Sequence, residues 1–213
     1  MVSQNIDTVD ALMAHYVAGS LPEPVRVLVE CHLEIKSDNH ALVRDLECLA
    51  GEALEDIELA VIDSRDTRLS SIFSSPPPSQ ALTPASGSPG VFPASLRRFV
   101  GFDVDGVPWR TKLPGFKEYS IDVSGFEFSL MWIRPGRSLP AHTHKGMELT
   151  LILDGAFCDA RGRFGPGDIS VADETVDHRP VAEKDRPCIA LSVLDAPIKL
   201  TGSFRQILGD LIG

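Results

Sequence analysis

A segment rich in proline, serine, glycine and alanine divides this chain of 213 residues into two parts with different hydrophobic patterns. The segment, IFSSPPPSQALTPASGSPGVFP, spans residues 72–93 and carries too little large apolar surface to order itself in a packed core. We therefore predict a multi-domain α + β protein. Its expected parts are a helical domain at 1–75, a linker at 76–93 and an all-β domain at 94–213.

The part before the linker has helical spacing of its apolar residues and no segment that alternates with period two. A first helix, DALMAHYVA, is expected after a cap at Asp7 or Thr8. A second should open at Pro22, because proline is tolerated in the first turn, and a third at Ser37 or Asp38. The third predicted helix carries an apolar stripe of Leu42, Leu46 and Leu49. These features predict a small helical bundle.

The part after the linker consists of short apolar segments between turn signals. FEFSLMWIR at 126–134, LTLIL at 149–153 and CIALSVL at 188–194 are typical of strands, and glycine-containing turns lie at 154–155 and 165–168. Many short strands at regular spacing predict a sandwich or a barrel. The last residues, SFRQILGDLIG at 203–213, have the pattern of an amphipathic helix.

Within the β part, two histidines and a glutamate follow the spacing His142-x-His144-x3-Glu148, between Gly136 and Gly155. Residues two apart on a strand project from the same face, so both imidazoles should point the same way. Glu148 begins the next strand after a short turn, and we expect it to oppose the histidines across the ladder. Two imidazoles and a carboxylate facing a barrel interior form a site for a divalent ion. The alternative is that these are unrelated surface residues.

His178 is the candidate fourth ligand. It follows an acidic loop and precedes another β segment, although a single histidine after a loop can also be simply exposed. If His178 binds, a tetrahedral zinc site is closed, whereas three protein ligands leave a position open for chemistry. Zinc is the expected metal, with iron or another divalent ion as the alternative.

These motifs resemble those of a known protein family. The stretch around His142, His144 and Glu148 matches the first cupin motif, and residues 165–168 match the turn of the second, in which His178 comes later than usual. With this delayed histidine, the region resembles the cupin-like domain of ChrR-type anti-sigma factors. DALMAHYVAG, HLEIKSDNH and the linker also resemble theirs, so the resemblance covers nearly the whole chain. It implies a helical bundle followed by a cupin barrel, a double-stranded β-helix.

The resemblance also implies a function. In that family the helical domain sequesters an extracytoplasmic-function sigma factor from RNA polymerase, and the cupin domain responds to singlet oxygen or related oxidants. In that family each domain holds one zinc ion, and for this chain we expect one, in the cupin domain. The implied partner of this chain is a sigma factor, with a small-molecule signal or an oxidant acting at the cupin domain.

The helical zinc site is where this chain departs from the family pattern. The family uses His-x3-Cys-x2-Cys plus an upstream histidine, and here the positions hold His32, Lys36 and Asn39, with no histidine near Asp7. A protonated lysine cannot replace a thiolate ligand, so we interpret this site as lost. The residues that could form a substitute site are His15, Cys31, His32 and His40.

Three functions therefore stay open at this stage. The first is a ChrR-type anti-sigma factor, and the second is a sensor that has kept its barrel metal but lost sigma binding. The third is a cupin enzyme, such as an Fe(II)-dependent dioxygenase. The helical part and the linker favour regulation, because a lone enzyme needs neither.

Charge and hydropathy narrow the choice of partners and compartment. The net charge of −10 argues against binding nucleic acid or anionic membranes, which both need clustered basic residues. No apolar run reaches the length of a membrane span, and no signal peptide is expected. The four cysteines lack a disulfide framework, which fits reduced thiols in the cytoplasm.

Overall fold

The computed structural model describes residues 2–76 and 90–201, and for residues 2–7 the backbone alone. Most of the predicted linker, residues 77–89, lies outside the described residues. The predicted last helix at 203–213 lies outside them as well. The division into domains at 75 and 94 therefore stays a prediction. Among the described residues, no helix combines the length and the apolar character needed to cross a membrane.

Five α-helices are present in the described ranges, and a short 3-10 helix at Val104–Gly106 precedes the first strand. The α-helices are α1 (Val2–Val17), α2 (Glu23–Ile35), α3 (His40–Glu55), α4 (Arg65–Ser74) and α5 (Ala94–Val100). The second helix opens after Pro22 as predicted. The first begins earlier than the expected cap at Asp7 or Thr8, and the third begins later than Ser37, after Asn39. The sequence predicted three helices before residue 73, but the structure has four, because residues 56–64 separate α3 from α4.

Eleven strands form the β part of the described chain. They are β1 (Arg110–Leu113), β2 (Phe116–Val123), β3 (Phe126–Ile133), β4 (His142–His144), β5 (Glu148–Asp154), β6 (Phe157–Asp159), β7 (Gly162–Phe164), β8 (Ile169–Ala172), β9 (Val181–Ala182), β10 (Cys188–Leu194) and β11 (Ile198–Leu200). The main sheet has the antiparallel order β1-β2-β3-β10-β5-β8, and two small sheets, β7-β6-β9 and β11-β4, lie beside it. Gly155 allows the end of β5 to lie close to the backbone of Pro187, because a Cβ at this position would lie 2.2 Å from the carbonyl oxygen of Pro187.

The centre of the main sheet is buried on both faces, whereas its edge strands β1 and β2 are partly exposed. On the central strand β10, every residue is buried. Leu191 and Val193 belong to the core shared with the helices, whereas Ala190 belongs to the core inside the barrel. A strand covered on both sides reads as a continuous apolar run, which explains why the sequence CIALSVL does not alternate.

The helices and the barrel share one hydrophobic core. Met13 and Leu28 from the helices lie in the same cluster as Phe128, Leu151 and Leu191 from the main sheet, and each of these five side chains is 0% exposed. The helix α5 packs against α2 and adds Leu96 to this cluster. Separating the two parts would therefore expose a large apolar area to water.

A polar contact, which we call the helix–barrel joint, lies at the edge of this core. The Nδ1 atom of His32 lies 2.6 Å from the carbonyl oxygen of Gly167, and its Nε2 atom lies 2.9 Å from Oδ1 of Asn39. Lys36 donates to Asp168 at 2.7 Å. Gly167 has a φ of +83°, and a Cβ there would lie 2.7 Å from Cβ of Lys36, so the turn needs glycine.

Candidate metal centre

The three residues of the first cupin motif lie on two strands that are not paired with each other. His142 and His144 lie on β4, which pairs with β11, whereas Glu148 opens β5, which pairs with β10 and β8. The expectation that Glu148 opposes the histidines across one ladder is therefore wrong. The residues approach each other instead as members of different sheets.

His178 reaches the site through its backbone. It forms an isolated antiparallel bridge with His142, in which each backbone N–H donates to the other residue's carbonyl oxygen at 3.0 Å. Two residues opposed in this way have adjacent side chains, so the delayed histidine of the second motif joins the first.

The ligand atoms of the four residues converge on one point. The Nε2 atom of His178 lies 3.0 Å from Nε2 of His142 and 3.2 Å from Nε2 of His144. Oε2 of Glu148 lies 3.3 Å from Nε2 of His144 and 3.7 Å from Nε2 of His178. A tetrahedral ion with bonds of about 2.0–2.1 Å separates its ligands by about 3.3 Å. All four side chains are buried, and the group could hold a metal ion.

The electrostatics of the site favour neutral imidazoles. Burial, together with the neighbouring histidines, lowers the pKa of His142 and of His144 below the ordinary value for histidine. Neutral nitrogens that face one another present lone pairs to the same space, which suits a cation between them. The donor set of three imidazoles and one carboxylate therefore fits a divalent ion.

A second group of residues holds the ligands in place. The Nδ1 atom of His142 lies 2.8 Å from the carbonyl oxygen of Pro140, and Ser192 donates to Oε1 of Glu148 at 3.0 Å. Nδ1 of His178 lies 3.1 Å from Oδ2 of Asp159, and Arg161 donates to the same oxygen at 2.7 Å. Burial alone would raise the pKa of Asp159, but the hydrogen bonds from His178 and Arg161 hold it well below its usual range.

No sequence pattern indicated Asp159 or Arg161. Asp159 is the last residue of β6 and Arg161 lies in the turn that follows it, 19 and 17 residues before His178. Only the pairing of β6 with β9, which brings the turn back beside the loop that carries His178, places them there.

The substitute ligands that the sequence offered in the helices do not assemble. Cys31 is buried in the core, where burial raises its pKa to about 12. Nδ1 of His15 contacts Ser20, and Nε2 of His40 contacts the carbonyl oxygen of Leu33. His32 belongs to the helix–barrel joint. In the described part of the chain, the barrel cluster is the one group of three or more such ligands placed for a metal.

Comparison with known proteins identifies the family. Residues 99–196 match the family described as the ChrR cupin-like domain. The anti-sigma-E factor ChrR of Cereibacter sphaeroides is 35% identical to this chain over 207 residues, and the match covers 93% of each protein. This chain belongs to the ChrR family of anti-sigma factors. Both its family and its fold class, a helical part followed by a cupin-like β part, are as the sequence motifs predicted.

A solved ChrR structure supports the same assignment across both parts of the chain. The crystal structure of Rhodobacter sphaeroides SigE in complex with the anti-sigma factor ChrR matches with a TM-score of 0.72 at 34% identity. The match covers 87% of this chain and 96% of that chain. The likeness to ChrR therefore extends beyond the cupin barrel into the helices.

Proposed function

We propose that this chain is a cytoplasmic anti-sigma factor that sequesters an extracytoplasmic-function sigma factor. The barrel binds one zinc ion through His142, His144, Glu148 and His178, and it senses oxidative stress. Membership of the ChrR family and the likeness to ChrR in its complex with SigE support the partner. The converging donor atoms support the metal site.

The observation that carries the proposal is a group of exposed apolar residues on α3, on α4 and in the connection between them at 56–64, which we call the α3–α4 surface. Its large apolar residues are between 58% and 94% exposed. They are Leu49, Leu54, Ile57, Leu59, Val61, Ile62, Ile72 and Phe73. Because so many exposed apolar residues lie within one short segment of the chain, we infer that they form a protein-binding surface.

The position of this surface suits a clamp. The opposite side of the helical part is occupied, because α1 and α2 pack on the main sheet and α2 also packs on α5. Leu42 and Leu46 of the predicted stripe pack toward the core, whereas Leu49 is 62% exposed and belongs to the α3–α4 surface. A sigma factor can therefore be bound without displacing the barrel.

The loss of the helical zinc ligands is compatible with this function. Lys36 and Asn39, at the positions of the family's two cysteines, take part in the helix–barrel joint. Apolar burial against the main sheet supplies the rigidity that a metal would otherwise provide, at about 1.5–3 kcal/mol for each large side chain that is fully buried.

A metalloenzyme is the second candidate, and one observation favours it. A cavity of about 360 Å³ adjoins three of the four donor residues, His142, Glu148 and His178. An Fe(II) cupin dioxygenase would place its substrate in such a cavity. Oxygen uptake by iron-loaded protein in the presence of small aromatic and aliphatic compounds would distinguish this candidate from the regulator.

Calorimetric titration of the full-length chain with each extracytoplasmic-function sigma factor of the same genome tests the proposal. We expect one of them to bind with one-to-one stoichiometry. The double variant Leu59→Asp/Val61→Asp should weaken binding by roughly a hundredfold, because it places charges in the centre of an apolar contact. Val91→Asp is the matched control, since Val91 is also exposed but lies outside this surface.

Two results would contradict the proposal in different ways. Unchanged affinity of the double variant would show that the sigma factor uses another surface. Absence of binding to every sigma factor, by a chain that is folded and metal-loaded, would refute the anti-sigma function itself.

A further inference from the structure

The cavity beside the metal cluster has the size and the lining of a small-molecule site. Its volume of about 360 Å³ falls within the range of ligand-binding pockets, which is roughly 300–1,000 Å³. Apolar residues from β2, β3 and β11 form one part of its wall, including Phe116, Met131, Ile198 and Leu200. His142, Glu148 and His178 form another part.

A row of hydroxyl groups crosses the cavity wall. The strand register pairs Ser129 with Ser192 and Ser192 with Thr150, so the three residues lie side by side on β3, β10 and β5. All three are buried and line the cavity. The Ser192 hydroxyl donates to Oε1 of Glu148, which connects the row directly to the metal cluster. Buried hydroxyls within an otherwise apolar wall fix the orientation of a polar group on a ligand.

The charge of the wall restricts the ligand further. Among the described residues that line the cavity, none is lysine or arginine, whereas Glu118, Glu127 and Glu148 are acidic. Lys112 pairs with Glu118 at 2.9 Å but is itself not part of the lining. With a divalent ion bound, the charge of Glu148 is offset, and four protein ligands leave that ion no position for a ligand carboxylate. Glu118 and Glu127 remain in the lining, and no basic side chain of the lining offsets the desolvation of an anionic ligand.

We propose that this cavity binds a neutral, largely apolar small molecule whose hydroxyl or carbonyl group contacts the row of Ser129, Ser192 and Thr150. The inference rests on the proposed sensor function, because it names the class of signal molecule that the barrel receives. The apolar body of the molecule lies against Phe116, Met131 and Leu200, and its polar end points toward the metal cluster.

Competition against a fluorescent probe tests the ligand class. The neutral dye N-phenyl-1-naphthylamine would be bound to the metal-loaded full-length chain, and 1-octanol and octanoate would be titrated as competitors of equal chain length. We expect 1-octanol to displace half of the dye at a concentration at least about tenfold lower than octanoate, because no basic side chain of the lining compensates the carboxylate of octanoate for its lost hydration. Equal or stronger displacement by octanoate would refute the inference.

Three variants locate the site. Thr150→Val removes one hydroxyl at nearly constant shape and should raise the half-displacement concentration of 1-octanol roughly three- to tenfold, the equivalent of one hydrogen bond. Ser129→Leu fills the cavity and should abolish dye binding. Ser120→Leu is the matched control, because Ser120 pairs with Ser129 in the same row but is exposed and outside the cavity.

Two further measurements on the same protein samples distinguish failure of the ligand site from failure of the proposed sensor function. Metal content and sigma-factor binding would be measured on each preparation. A wild-type chain that carries metal and binds its sigma factor, but binds neither dye nor octanol, would refute the ligand site alone. Dye binding that survives in Ser129→Leu, with metal content unchanged, would place the dye elsewhere and would also refute it.

Discussion

At the scale of single residues, Asp159 determines the tautomer and the orientation of the His178 imidazole ring. A histidine that binds a metal through Nε2 must carry its proton on Nδ1, and a carboxylate beside Nδ1 fixes both that tautomer and the orientation of the ring. Asp159 lies 3.1 Å from Nδ1 of His178 and is 0% exposed at its side chain, while Arg161 offsets its charge. This arrangement gives His178, the proposed fourth ligand, a defined geometry although it follows a loop.

We therefore expect Asp159→Asn to weaken metal binding by about 10- to 100-fold without unfolding the protein. Competition with a metal-sensitive dye measures the affinity, and circular dichroism checks the fold. Asp185→Asn, in an exposed loop, is the control and should leave the affinity unchanged. The double variant His142→Ala/Glu148→Ala sets the reference for complete loss of metal. Wild-type affinity in Asp159→Asn would show that His178 needs no partner or is not a ligand.

The sequence indicated the four residues that cluster, but it could not predict which side chains hydrogen-bond to them. The spacing of His142, His144 and Glu148 is local and is therefore visible in the chain. Asp159 and Arg161 reach the site through the pairing of β6 with β9, which no local pattern encodes. The same reason explains the incorrect expectation for Glu148, because the partners of β4 and β5 are distant in sequence.

At the scale of elements, the main sheet stabilises both parts of the protein. One face of β10 contributes Leu191 and Val193 to the core shared with the helices, and the other face contributes Ala190 and Ser192 to the cavity wall. The sequence predicted this strand correctly from its apolar run. It could not predict what covers its outer face, since that depends on how α1 and α2 dock.

Leu191→Ala should therefore lower the free energy of unfolding by about 2–5 kcal/mol, because it opens a cavity in the shared core. Urea unfolding monitored by fluorescence measures the change. Leu59→Ala, at a position that is 94% exposed, is the control and should shift it by no more than about 0.5 kcal/mol. A similar small effect of both substitutions would mean that the helices do not pack on β10.

At the scale of the whole molecule, the core shared by the helices and the barrel changes the expected result of cleaving the linker. The composition of residues 72–93 predicts a segment sensitive to proteases, and from the sequence alone cleavage there should release the barrel. The helices, however, contact the main sheet through fully buried side chains such as Met13 and Leu28. The helix–barrel joint adds polar contacts from His32 and Lys36 at the edge of this interface.

We expect limited proteolysis between residues 77 and 89 to yield two fragments that still co-elute on gel filtration. The reason is that both fragments contribute fully buried apolar side chains to one core, and we expect this contact to persist at micromolar concentration. Denaturing electrophoresis of the eluted peak would reveal both fragments. Elution of the barrel fragment alone, with its metal, would show instead that the two parts are held together mainly by the intact chain.

The central claim is that this chain inhibits a sigma factor, and transcription in vitro measures inhibition directly. Core RNA polymerase, the cognate extracytoplasmic-function sigma factor and its promoter would be mixed with increasing amounts of the full-length, metal-loaded chain. The account predicts that transcription falls to background at a one-to-one ratio with the sigma factor, and that Leu59→Asp/Val61→Asp protein leaves transcription intact. Undiminished transcription with every such sigma factor of the genome, at excess of the folded wild-type chain, would contradict it.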